Sequence, residues 1–90
     1  MATLRERRTY REQVLRVLYE AVEGNRLLGT TGAQLRRELQ VPEQDLAAAC
    51  TYLAGEGLIT VDWEPGNTPA MVTLTHAGIR HMEAEEEQHG

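Results

Sequence analysis

Ninety residues, with 41% hydrophobic and 26% charged side chains, make one small globular domain. That balance excludes a second domain, a low-complexity or collagen-like fibre and a fully disordered chain, and the longest apolar run, Leu46 to Cys50, is far short of the about 20 residues that span a bilayer. The formal charge of −5 is unevenly spread: residues 1–40 hold eight Arg against five acids, a net of +3, whereas residues 41–90 hold one Arg against nine acids, a net of −8. An acidic chain is a poor general match for nucleic acid, whose affinity comes from cations that neutralise phosphates, but the basic first half keeps that partner in play. Cys50 is the sole cysteine, so there is no internal disulfide. The N-terminus turns polar at once, without the apolar stretch of a signal peptide, and the expectation is a cytoplasmic protein.

The first helix is the clearest element. Thr9 with Glu12 forms a capping box, in which each side chain satisfies a backbone N–H of the first turn. An earlier box, Thr3 with Glu6, competes with it; taking the later one leaves residues 1–8 as an N-terminal arm. At about 100° per residue, Tyr10, Val14, Leu15, Val17, Leu18, Tyr19, Ala21 and Val22 cover an arc of roughly 200°, wider than the stripe of about 100° that a surface helix needs. This helix is therefore buried on two sides, within its own domain or against another chain. Gly24 and Asn25 end it.

Leu27-Leu28 is long enough for a stub of strand. Thr31 with Gln34 then caps a second helix with Leu35 and Leu39 inward and Arg36, Arg37 and Glu38 outward. Pro42 places a turn at Gln40-Val41. A third helix follows, with Leu46, Ala49, Cys50 and Leu53 at i, i+3, i+4 and i+7, and stops at Gly55 or Gly57. Two helices joined by so short a turn form a helix-turn-helix. The period then becomes alternating: Ile59, Val61 and Trp63 share a strand face, Glu64 to Pro69 is dense in turn residues, and Ala70 to Leu74 returns as a second strand. Thr75 caps a short closing helix with Ile79 and Met82 inward, and residues 85–90 form an acidic tail.

This order, with Tyr52-Leu53-Ala54-Gly55-Glu56-Gly57-Leu58-Ile59 leading into a hairpin and Val72-Thr73-Leu74-Thr75-His76-Ala77-Gly78-Ile79 leading out of it, resembles the winged-helix family over about residues 10 to 84. The resemblance implies an α+β fold: a small winged helix with a three-helix core containing the helix-turn-helix, a β-hairpin wing and a short C-terminal helix, the domain spanning 9–84. It also implies a bacterial transcription regulator that binds duplex DNA, often as a dimer. In such proteins the outward side chains of the third helix read base edges while the second crosses the backbone. Carried onto this chain, the DNA-contact candidates are Arg36, Arg37, Gln44, Ala48, Thr51 and Tyr52.

The third helix and the wing carry Glu43, Asp45, Glu56, Asp62 and Glu64 and no cation, a departure from what phosphate contact requires. The alternative is a winged-helix protein-protein interaction or dimerisation module that does not bind DNA, with Leu15, Tyr19, Val22 and Trp63 as partner contacts; Trp63 is either a cap over the sheet or an exposed anchor. Arg5, Arg7, Arg8 and Arg11 at the start of the first helix read either as a solvated end or as the cations of an atypical DNA contact. No catalytic set, metal ligands, cofactor or small-molecule substrate is expected. Cys50 lies on an apolar stripe, where a thiol behaves as a small hydrophobe, and His76 and His81 are not spaced to share a helix face.

Overall fold

Two reciprocal hydrogen bonds start the first helix. The Thr3 backbone N–H donates to Glu6 Oε1 and the Glu6 N–H to Thr3 Oγ1, both at 3.1 Å, so the earlier of the two capping boxes is the one used. Thr9 instead lies inside the helix, where its hydroxyl donates back to the Arg5 carbonyl at 3.0 Å. The computed structural model describes residues 2–24, 29–66 and 68–89, and in it α1 runs Leu4–Gly24. Residues 4–8, expected as an arm, are its opening turn. The strand expected at Leu27-Leu28 lies outside the described residues. The strand that is present, β1, is Thr30–Thr31, and Thr31 also caps α2 (Gly32–Leu39) by accepting from the Gln34 N–H at 3.1 Å.

Gln40 closes α2 in the left-handed region, at φ 53°, and its N–H reaches the Arg36 carbonyl at 3.0 Å. Val41 is buried at this turn, and Pro42 starts α3 (Glu43–Gly55) by accepting from the Leu46 N–H at 2.9 Å. The predicted stripe faces inward: Leu46, Ala49, Cys50 and Leu53 are all buried. They meet Val14 and Leu18 of α1, Leu35 of α2 and Val72 of the sheet in one core.

The sheet is antiparallel with order β1-β3-β2, where β2 is Ile59–Glu64 and β3 is Thr68–Leu74. Its hairpin loop is shorter than the six residues the turn chemistry suggested, because Glu64 pairs with Thr68 and Trp63 with Pro69. Pro69 has no N–H to give a ladder, and it is tolerated because the register shifts between Asp62 and Trp63, as at a bulge. Its buried ring lies beside Gly32. The closing helix, α4, runs His76–His89, capped by Thr75 Oγ1 accepting from the Gly78 N–H at 3.1 Å. It is longer than expected: Ala, Glu and Gln are good helix formers, and Tyr19 Oη donates to Glu86 Oε2 at 3.2 Å, so most of the predicted acidic tail is helical. The described residues thus form four helices on a three-stranded sheet, the α+β winged-helix architecture.

Candidate nucleic-acid interface

The stripe that buries Leu46, Cys50 and Leu53 fixes what α3 shows to solvent. Gln44, Ala48, Thr51 and Tyr52 are exposed, with Asp45 and Ala47 half-buried at the edges. Thr51 Oγ1 donates to the Ala47 carbonyl at 2.9 Å, which turns this hydroxyl onto its own helix. The middle of the face is therefore short and neutral, open to a bulky partner.

Its N-terminal end is tied to both neighbouring elements through one carboxylate oxygen. Glu43 Oε1 lies 3.5 Å from Arg36 Nη1 of α2 and accepts from Thr68 Oγ1 of β3 at 3.4 Å. Arg36 is thus half-buried and shared with Glu43, whereas Arg37, next on α2, is exposed. At the opposite end Arg11 of α1 lies over the Tyr52 ring, 3.6 Å from its centroid. Arg7 and Arg11 line a groove of roughly 390 Å³ with Asp45, Ala48, Thr51 and Tyr52. The sequence left these two Arg between a solvated end and an atypical DNA contact, yet their position was visible in the spacing. Arg7, Arg11, Val14 and Leu18 fall at i, i+4, i+7 and i+11, so the buried stripe of α1, extended backwards, passes through both.

On the wing side, Trp63 is 41% exposed and lines a cleft of roughly 410 Å³ with Ala47, Ala48 and Thr51. It does not cap the core, because at the bulge β2 has already passed the end of the buried region. Two other partner candidates change meaning. Leu15 and Val22 are 4% and 8% exposed and belong to this chain's own core. The wide apolar arc of α1 is used up within the chain, because α1 touches α2, α3, α4 and β3. Tyr19 is half-buried and bonded to Glu86.

Among the described residues no three His, Cys, Asp or Glu side chains gather as metal ligands, and no helix is long and apolar enough to cross a membrane. Cys50 is fully buried, and loss of hydration pushes its thiol from an ordinary 9.0 up to about 11. The unfolded chain ionises near pH 9 while the folded thiol stays neutral. Stability is therefore intact below pH 9 and falls as pH rises towards 11, by about 3 kcal/mol. Urea midpoints measured from pH 8 to 11 are expected to drop more steeply for the native protein than for Cys50→Ala; parallel curves would assign the thiol no such role.

No family model and no curated protein matches the chain. Solved structures do. A MarR family regulator from Neisseria meningitidis superposes with a TM-score of 0.66 at 25% identity, over 88% of this chain and 52% of its own. A mutant MepR from a multidrug-resistant S. aureus clinical isolate superposes with a TM-score of 0.63 at 24% identity, over 86% of this chain and 59% of its own. The chain thus spans little more than half the length of either.

Proposed function

We propose, from the premise that the chain is a winged-helix domain with the fold of these MarR-family regulators, that it is a non-enzymatic transcription regulator that binds duplex DNA through α3. The observation that carries this reading is the exposed face of α3, an uncharged row of Gln44, Ala48, Thr51 and Tyr52 on a helix whose other face is locked into the core. A helix so backed enters a major groove without rearrangement. There Gln44 pairs with adenine, and Ala48 and Thr51 approach thymine methyl groups. Arg37, with Arg36 once it is drawn from Glu43, meets the phosphates from α2. A fluorescence titration with mixed-sequence duplex DNA, repeated as salt is raised, tests it. Affinity falling linearly with log salt is expected, and no binding at low salt overturns the reading.

A second reading rests on Trp63. An exposed tryptophan beside Ala47 and Ala48, with Asp62 and Glu64 exposed on the same strand, suits an apolar side chain flanked by basic residues on a protein partner. The single tryptophan is its own reporter. Duplex DNA that seats on α3 shifts Trp63 emission, whereas a protein reading is favoured if only a basic peptide does.

A further inference from the structure

We infer that Arg7 and Arg11 form a second phosphate-holding pair, so that the neutral face of α3 lies between cations at both ends. The inference rests on the DNA reading above and names residues outside the helix-turn-helix as part of the contact.

The two side chains stand at i and i+4 on α1, hence on one face of it. That face continues the core stripe, which turns it towards α3, with Arg11 half-buried and Arg7 exposed at the edge of the groove they line. Like charges at this spacing repel by a few tenths of a kcal/mol, and neither Arg is in an ion pair among the described residues. What holds Arg11 is the Tyr52 ring. Stacking uses the face of a guanidinium and leaves its N–H donors, which lie in the plane, free to fork onto a phosphate. Tyr52 thereby becomes a pedestal rather than a base-reading residue. Asp45 lines the same groove, and its charge opposes an anion there, so both arginines are needed to keep the groove positive.

The spacing of the two Arg pairs matches a duplex. Arg36 reaches the first residue of α3, Glu43, and Arg11 sits on Tyr52, nine residues later. Nine residues of helix rise about 14 Å. The major groove is about 12 Å wide. A duplex that takes α3 across its groove then brings one backbone to Arg36 and Arg37 and the other to Arg7 and Arg11. This answers the charge problem of the sequence, where helix and wing alone offer phosphates only acids.

The test compares two double variants of the full chain that remove equal charge from the same helix. Arg7→Ala with Arg11→Ala is expected to weaken duplex binding about tenfold or more at low salt, and to reduce the slope of log affinity against log salt by about 1.8, the loss of two phosphate contacts. Arg5→Ala with Arg16→Ala, on the opposite face of α1, is expected to leave that slope within about 0.5 of native. Circular dichroism confirms that each variant is folded. A native protein that binds no duplex overturns the DNA reading and this pair with it. Native binding with an unchanged slope in the Arg7/Arg11 variant overturns the pair alone, as does an equal fall in both variants, which would mark a diffuse field instead of a site.

Discussion

Gly32→Ala is expected to destabilise the domain by about 3 kcal/mol, lowering Tm by at least about 12 °C. A β-carbon at this position would overlap the carbonyl oxygen of Pro69. The obstacle is backbone, so no side-chain rotation relieves it. Gly32 is held from both directions: Thr30 and Thr31 pair with Val72 and Met71 immediately before it, and α2 begins at it. Making room means parting α2 from β3 and so shifting the hairpin whose far side carries Trp63. Gly55→Ala is the control, since a β-carbon there meets nothing within 4 Å and alanine suits the last turn of α3. Thermal unfolding followed by circular dichroism is expected to separate the two variants clearly. Equal melting temperatures would mean that α2 does not rest on Pro69.

The requirement at Gly32 is a tertiary one, and it marks the boundary of what the sequence makes legible. Local chemistry specified the elements well. The Thr31 cap, the turn at Gln40-Val41, the stripe of Leu46, Ala49, Cys50 and Leu53, and the Thr75 cap are each decided by residues within a turn of one another. Thr3 and Thr9 carry equivalent local signals, and the choice between them went to the helix that continues the core stripe of α1 backwards over α3. Leu15 and Val22 looked surplus because a wheel counts apolar positions without counting neighbours, and α1 here has four. Pro69 read as loop because residues 64–69 are dense in turn formers, yet a bulge gave it a place in a strand. The site divides in the same way. The exposed face of α3 follows from its periodicity, and the spacing of Arg7 and Arg11 puts them on the core-facing stripe of α1, but that this stripe meets α3 near Tyr52 is tertiary and was not legible.

If α3 is the element that enters the groove, then Ala48, at the middle of its exposed face, governs binding by charge alone. Ala48→Glu is expected to weaken duplex binding about 100-fold or more, because a carboxylate set against phosphates and base acceptors costs several kcal/mol and each 1.4 kcal/mol is tenfold. Ala48→Arg is expected to strengthen non-specific binding several-fold and to steepen the salt slope by about 0.9, one added phosphate contact. Neither change disturbs the fold: the position is exposed, both residues are good helix formers, and stability should move by no more than about 0.5 kcal/mol. The opposite signs are what make the pair informative. A partner that needs the small residue for close approach, as the Trp63 cleft would, is excluded by bulk of either charge, so it loses binding to both variants. A duplex loses binding to one and gains it to the other. Equal affinity across the native protein and both variants would remove α3 from the contact and leave the arginines of α1 and α2 to hold the nucleic acid without it.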